Sequence, residues 1–595
     1  MVSVGSKSLP SKRHRIIEED SLMGEREKSS NNHSSRRKGM GRKAQRGDRG
    51  FDGDSSKRNQ SGGAANVKPA SKRQSEFEHQ NQFVREYEIA TDYIISHVIQ
   101  TLLEGCELDQ LCCFLRNSAK VFPAIAMDRS GSHVAESALK SLATHLENPD
   151  AYSVIEEALG SICKAIVDNP LDMMCNCYGS HVLRRLLCLC KGVSLDSPEL
   201  YGAKSSKALA KRLNLKMSQF DENNLQFSHQ GFPDVLTDLL SGLLNCSRED
   251  MKYLQVDQYS SLVLQTALRL MLKQDEMLLE MIPLILGCNS TNENGEGVHI
   301  ETDVAKEILE SMKDNSFSHL MEVILEVAPE SIYNELFNKV FKNSLYELSL
   351  DRCANFVVQA LISHAKNEEQ PTNLRPIDFV CKMGFLWEEL APKFKDLLKQ
   401  GKSGVVASLI AVSQRLQSHE HKCCEALTGA LCSTNESRIS IVPRLLFLDN
   451  YFGCQDKSSW EWSPGAKMHV MGSMILQEIF KFSSDLVQPY ITSLTSMKPE
   501  HTIETAKDSS GARVIEAFLA SNANTKQKRK LIIKLRGHFG ELSLHTSGSF
   551  TVEKCFDACN LTLKEAIAAE LLDVKADLSK AKQGPFLLRK LDIDG

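Results

Sequence analysis

From residue 85 onward, apolar residues recur every three or four positions. The strict alternation of a half-exposed strand is rare, and so are Asn-Gly or Gly-Gly hairpin signals. The pattern predicts helices throughout. One helix start repeats within it: DRSGSHVAESAL at 128–139 and NCYGSHVLRRLL at 176–187 both put a glycine, a small polar residue and a histidine at the head of an amphipathic segment. Taking the residue after the glycine as position n, the arrangement n, n+1, n+4 occurs as Ser96, His97, Gln100, then Ser132, His133, Glu136, then Ser180, His181, Arg184, and then Ser261, Leu262, Gln265. It continues as Ser318, His319, Glu322 and Asn355, Phe356, Gln359, weakens at Gly404, Val405, Ser408, and resumes at Ser473, Met474, Gln477. Ala512, Arg513, Glu516 and Ser549, Phe550, Glu553 follow, and a weak trio closes the series at Pro585, Phe586, Arg589. The steps between successive n positions are 36, 48, 81, 57, 37, 49, 69, 39, 37 and 36 residues, a unit of about 36 with insertions.

Helix geometry explains why the three positions travel together. At about 100° per residue, n and n+4 lie about 40° apart and n+1 falls within the same arc, so all three share one side. The other side is apolar, with Val98 and Leu102, Val134 and Ala138, Val182 and Leu186, Val263 and Ala267, and Val357 and Leu361 at n+2 and n+6. Each such helix is expected to bury one face and display the trio, and stacking would align the trios along one surface. The predicted fold class is all-α: a right-handed, C-shaped α-solenoid of about eleven repeats, with trio helices on the concave side. Insertions near 191–235, 287–303 and 433–465 are expected at edges or on the convex side. The first of them contains SLDSPELYGAKSSKALAKRLNLK, either a phosphate-touching or a merely solvated loop.

Charge marks a boundary that hydropathy alone leaves soft. Residues 1–80 hold 18 Lys and Arg against 10 Asp and Glu, a net +8, which leaves −13 for the rest of a chain whose total is −5. SKRHR at 11–15 and RRKGMGRK at 36–43 lie among Gly, Ser and Asn with few apolar residues, so residues 1–84 read as a basic disordered tail suited to nuclear import or phosphate contact, or simply to solubility. Apolar runs such as MLLEMIPLIL break well before the ~18 residues of a membrane helix, and no signal sequence opens the chain. The eighteen cysteines are scattered and read as reduced thiols. CNC at 175–177 with CLC at 188–190, and HEHKCC at 419–424, lack a recognised zinc spacing; Cys555 suits an apolar helix position, and His419 and His421 an exposed connection. No metal or cofactor is expected. QGKSG at 400–404 lacks the earlier glycine of a phosphate-binding loop and SHEHK the second histidine of a zinc-protease helix, so the chain does not read as an enzyme.

The pattern Asp-x-x-Gly-(Ser/Asn)-(His/Phe)-Val-x-(Gln/Glu), nearly whole at Asp128–Glu136 and Asp351–Gln359, resembles the RNA-reading helix of Pumilio (PUF) repeats. Eleven repeats, long insertions, a basic tail and several weak trios resemble the nucleolar protein 9 branch of that family, over residues 88–594. The resemblance implies single-stranded RNA as partner, with n and n+4 bonding one base edge and n+1 stacking between bases, one base per repeat. It also implies pre-ribosomal RNA of the 18S region, pre-ribosomal particle proteins as possible neighbours, small-subunit maturation, a nuclear and nucleolar location, no membrane, and a monomer. An acidic segment before the first repeat would fit the branch, whereas HQNQFVREYEIA runs directly from tail to repeat and the last residues are KLDIDG. Two other readings stay open: a cytoplasmic Pumilio-type mRNA regulator, and an armadillo- or HEAT-like protein scaffold, which would have no need of Ser or Asn with Gln or Glu in repeat after repeat. With a body at −13, base stacking at ~1–3 kcal/mol each would carry much of the affinity.

The side chains extend this to a base order. Glu accepts only and suits guanine's two donors, so Ser132/Glu136, Ser318/Glu322 and Ser549/Glu553 are expected to read G; Arg184 donates only and suits cytosine's O2 and N3. Family resemblance assigns U to Asn355/Gln359 and A to Ser96/Gln100, Ser261/Gln265 and Ser473/Gln477. Since the family binds RNA antiparallel to the protein, the expected string is 5′-N-G-N-A-N-U-G-A-C-G-A-3′.

Overall fold

The computed structural model describes residues 85–194, 229–288, 299–365, 377–432 and 438–592, with side chains from 384 onward in the helix Ile377–Leu390. The basic tail at 1–84 and the Lys- and Arg-bearing loop after Ser194 lie outside the described residues. Every regular element among the described residues is a helix.

The eleven trios each fall on a helix of their own: α1 Tyr93–Glu104, α2 Gly131–His145, α3 Gly179–Lys191, α4 Ser260–Leu270, α5 Asn315–Val327, α6 Ala354–Ser363, α7 Ser403–Arg415, α8 Val470–Ile479, α9 Ser509–Ala520, α10 Gly548–Asp557 and α11 Gly584–Lys590. Each packs on the next, in chain order, from α1 to α11. A second layer of helices, beginning Leu108–Ser118, Tyr152–Val167 and Pro233–Leu244, stacks alongside. A short third helix such as Phe122–Met127 or Phe539–Leu544 precedes most trio helices and packs against the one that follows. The result is an all-α solenoid whose core runs between the two layers.

The apolar face behaves as its spacing implies from α2 onward. Val134, Ala138, Val182, Leu186, Val263, Ala267, Val357 and Leu361 are all buried, and burying a Val or Leu side chain contributes about 1.5–3 kcal/mol. α1 departs from the expectation: Val98 is 54% and Leu102 65% exposed, because no described outer-layer helix covers that face.

One polar contact sets where seven of the eleven trio helices begin. At n−4, a single side-chain oxygen accepts the backbone N–H groups of n−2 and n−1, two donors that a helix start leaves unsatisfied. Asp128 accepts from Ser130 and Gly131 at 2.8 and 2.9 Å, and Asp351 from Cys353 and Ala354 at 2.7 and 2.8 Å. Asp92, Asn176, Asp257, Asp314 and Asp508 act alike, and His469 caps α8 through Nδ1. The glycine at n−1 exists for close approach. A Cβ on Gly131, Gly179, Gly472, Gly511, Gly548 or Gly584 would lie 1.8–2.8 Å from a carbonyl oxygen of the short helix before it. Where serine replaces it, Ser260 Oγ instead donates to the corresponding carbonyl, of Leu254, at 2.7 Å.

The insertions are local events. Gly192 and Gly231 sit at φ +85° and +79°, and Phe232 N donates to Cys190 O at 2.7 Å, so the first insertion leaves and returns at one point of the scaffold. Within the expected third insertion, Ile441–Leu446 is buried and occupies the place of the short helix before α8, since Leu445 supplies the carbonyl against Gly472. The additional chain is the stretch from there to α8; it folds back on the helix Pro499–Lys507, where Trp462 stacks on His501 at 4.3 Å and donates its indole N–H to Glu504 at 2.7 Å. His421 lies in the first turn of the helix Glu420–Leu431 rather than on a connection, and His419, its N-cap residue, stacks on Trp387.

Candidate nucleic-acid interface

The cap, the glycine or both fix the phase of most trio helices, and the trio side chains consequently form a ladder along one layer. The n residues Ser96, Ser132, Ser180, Ser261, Ser318, Asn355, Ser473 and Ser549 are buried at the seam between adjacent helices. Most of the serines bond back to their own helix, as Ser132 Oγ does to Arg129 O at 3.0 Å; Ser261 and Ser473 instead donate across to the next repeat, to Ser316 O at 3.0 Å and Ser510 O at 2.6 Å. In three of the four repeats with Gln at n+4 it is tied to n: Gln265 Nε2 donates to Ser261 Oγ at 3.1 Å, Gln477 Nε2 to Ser473 Oγ at 3.1 Å, and Gln359 Nε2 to Asn355 Oδ1 at 3.0 Å; Gln100 Nε2 makes no such bond. These bonds orient the amides before any ligand arrives. Gln100 sits half-buried on the same face, and Arg184 is buried.

The n+4 carboxylates are held by basic side chains beside them. Glu136 lies 2.5 Å from His181 Nδ1 and 3.5 Å from Arg185 Nε. Burial pushes its carboxyl up, but the hydrogen bond from His181 and the charge of Arg185 outweigh that and leave it below the ordinary range. Glu322 meets His319 Nδ1 at 2.9 Å, and Glu553 is paired with Lys590 of α11. Glu516 differs: burial, only partly offset by Arg513 and Lys554, pushes it up to about 7. A carboxylate with some four lone-pair sites can keep such a partner and still accept from a base edge.

At n+1, His97, His133, Arg513, Leu262, Phe356 and Phe550 are exposed, and His181 and His319 are half-exposed. Flat side chains thus stand between successive polar pairs. Met474 breaks the expectation. It is 3% exposed and lies in the seam between α8 and α9, lining a cleft of about 420 Å³ with Gln477, Glu478, Phe480, Lys481 and Arg513, so it offers no stacking surface beside the others. Its apolar chemistry alone did not signal this, since Leu262 stands at n+1 of an otherwise identical trio and is exposed. Gly404 also gains a physical explanation: a Cβ there would lie 2.6 Å from Gln359 Oε1, so the missing side chain makes room for the n+4 residue of the preceding repeat. Val405 and Ser408 are buried, whereas Pro585, Phe586 and Arg589 are exposed. Arg185, which supports Glu136, was not distinguished in sequence from the other exposed cations.

The NOP9-like PUF repeat domain matches residues 84–586. The chain belongs to that PUF family. Arabidopsis thaliana "Pumilio homolog 23" is 80% identical over all of this chain and 83% of its own length, and Homo sapiens "Nucleolar protein 9" is 24% identical over 85% of this chain and 80% of its own. Among solved structures, "APUM23-GGAGUUGACGG" is 82% identical with a TM-score of 0.79, covering 87% of this chain and 92% of that one. "APUM23-GGAAUUGACGG" is 79% identical with a TM-score of 0.78, over 88% and 96%. Among the described residues, no helix is long and apolar enough to cross a membrane.

Proposed function

We propose that this PUF protein binds single-stranded RNA along the trio ladder, one base at each complete trio, and acts in pre-ribosomal RNA processing for the small subunit within the nucleolus. The carrying observation is the recurrence of the trio in register on one layer: n and n+4 are bonded to each other on α4, α6 and α8, and exposed rings stand at n+1 on α2, α6 and α10, as His133, Phe356 and Phe550. The same hydrogen-bond pairs would be an unexplained repetition in a protein-binding scaffold. Support for the base order comes from the RNAs named with related structures, GGAGUUGACGG, GGAAUUGACGG and GGAUUUGACGG. The order expected from the side chains has G second and U-G-A-C-G at positions six to ten, and those strings have the same bases there. They differ at the last base, G where Ser96/Gln100 suggests A, and they vary at the fourth, opposite Ser473/Gln477. Among the repeats with polar side chains at both n and n+4, the exposed apolar face of α1 and the buried Met474 single out these two as the least complete.

The relatives named "Nucleolar protein 9" support the nucleolar, pre-ribosomal assignment over the cytoplasmic messenger one. Selection from random RNA tests the base reading: the expected logo contains ordered U-G-A-C-G, and a logo without it removes the one-base-per-repeat assignment. Crosslinking in cells with sequencing of the attached RNA tests the process, with pre-ribosomal RNA expected and dominance of messenger 3′ ends overturning it.

A further inference from the structure

The outer-layer helices share a charge character with one exception. Leu108–Ser118, Tyr152–Val167, Pro233–Leu244, Asp275–Leu286, Ile377–Leu390, Glu420–Leu431, Gln488–Ser496 and Leu561–Asp573 each carry at least as many acidic as basic residues, in keeping with the negative body. Thr525–Lys534 carries five cations, Lys526, Lys528, Arg529, Lys530 and Lys534, and no acid; Arg536 follows in the turn beyond it.

These cations divide by role. Lys534 is structural: its ammonium donates to Thr495 O at 2.7 Å and to Met497 O, fastening this helix to the outer helix before it. Lys526, Arg529 and Lys530 share a face with half-exposed Ile533, opposite buried Leu531 and Ile532, and Arg536 extends the same side. None of Lys526, Arg529, Lys530 and Arg536 forms an ion pair among the described residues, whereas other exposed cations such as Arg116, Lys252 and Lys507 have carboxylates beside them. Four uncompensated charges over about 15 Å of chain, in an otherwise acidic body, are unfavourable to one another and favourable only toward a polyanion.

We propose that this stripe is a second RNA contact, independent of sequence, which takes the phosphate backbone of the strand continuing past the 5′ end of the ladder-bound segment. The 5′ direction rests on the antiparallel reading proposed above, which sets the 5′ bases at α9 to α11, the helices around this stretch of chain. An acidic protein segment is the competing occupant. RNA is favoured because the cations are strung along one helix with a single apolar residue among them, which suits a linear phosphate backbone better than a folded partner's mixed interface.

The test compares GGAAUUGACGG alone with the same RNA carrying about ten uridines at its 5′ end or at its 3′ end. The proteins are the full chain and its Lys526→Gln/Arg529→Gln/Lys530→Gln/Arg536→Gln variant. In the wild type, the 5′ extension should raise affinity on the order of tenfold at low salt and steepen the salt dependence by about two in log–log slope. The variant should lose that gain, keep its affinity for the bare RNA and its melting temperature, and a Lys526→Arg/Lys530→Arg protein should behave as wild type. An equal gain in wild type and variant, or an equal gain from the 3′ extension, overturns the proposal. So does loss of polyglutamate binding in the variant with its extended-RNA affinity intact, which would assign the stripe to an acidic protein. Failure of the ladder reading shows separately, as no wild-type preference for GGAAUUGACGG over a scrambled sequence.

Discussion

Changing Gln359 to Glu tests base reading where the structure is most explicit. Gln359 is 8% and Asn355 6% exposed, and the Gln359 amide donates to Asn355 Oδ1 at 3.0 Å. Asn355 cannot turn its amide over cheaply, because its Nδ2 already donates to Asp351 O at 2.9 Å and Arg352 O at 2.7 Å. A carboxylate at 359 therefore faces an acceptor fixed in place, forfeiting one hydrogen bond (about 0.5–1.5 kcal/mol) and leaving a buried acceptor unsatisfied (about 1–3 kcal/mol). The repeats expected to read G have Ser at n, whose hydroxyl rotates freely. Gln359→Glu alone should weaken binding of the original RNA by roughly 5- to 150-fold, about 1–3 kcal/mol, while gaining only part of a preference for G at the sixth base. Asn355→Ser/Gln359→Glu should complete the change from U to G. Equilibrium binding of four RNAs differing at that base, by both variants and the wild type, provides the measurement. Unchanged preference in both variants would refute the n/n+4 reading, and equal preference in the two would refute the argument from Asn355.

Four further outcomes follow from the same contacts. Gly472→Ala places a Cβ 1.8 Å from Leu445 O and should lower the melting temperature and the hydrogen-exchange protection of α8 by at least 1–3 kcal/mol, whereas Gly105→Ala, with nothing within 4 Å, should be nearly neutral. Asp351→Ala removes the cap of α6 and should cost about 0.5–2 kcal/mol in thermal melts at pH 7. Burial raises the Asp351 carboxyl, but amide hydrogen bonds from Ala354 and Cys353 hold it below its ordinary value, so its contribution is present above that value and the gap between wild type and variant should close as pH falls below about 4. Glu516, raised by burial to about 7, runs the other way: its contribution is full below its ordinary value of 4.5 and lost as pH rises through 7, so Glu516→Gln should flatten the stability profile between those limits. Deleting residues 1–80 should reduce nuclear accumulation, read by microscopy, without altering the selected RNA logo.

The repeat was legible because its phase is fixed by residues with few substitutes. An oxygen at n−4 and an absent side chain at n−1 are local requirements of one turn, and they leave an Asp-x-x-Gly signature that self-comparison finds. The layer assignment was legible for the same reason, since n+2 and n+6 follow once n is placed. What escaped depends on the neighbouring repeat. Gly404 reads as decay in its own repeat and as accommodation only beside Gln359. Met474 occupies a stacking position by count yet is drawn into the seam, and Val98 and Leu102 carry the core pattern without a layer to cover them. The start of the third insertion shifted because Ile441–Leu446 has the apolar content of a scaffold helix but is followed by an unusually long connection to α8.

The same cross-repeat contacts limit how far the ladder can act as a set of independent letters. Glu136 is held by His181, which is the n+1 residue of the next repeat; Ser261 and Ser473 donate to carbonyls of the following repeat; Gln359 lies over Gly404; and Glu553 is paired with Lys590 of α11. Residues that share a hydrogen bond do not contribute additively, with interaction energies of about 0.5–3 kcal/mol, as large as the expected share of one base. A base read through Glu136 is thus sensitive to the position of the His181 ring, and moving that ring for its own base alters the carboxylate. Of the five consecutive repeats, α2 to α6, on which the proposed stretch U-G-A-C-G falls, α2–α3 and α4–α5 are joined by such contacts. Under the proposed reading, the physical unit of recognition at those two junctions is consequently a pair of adjacent helices rather than a single one.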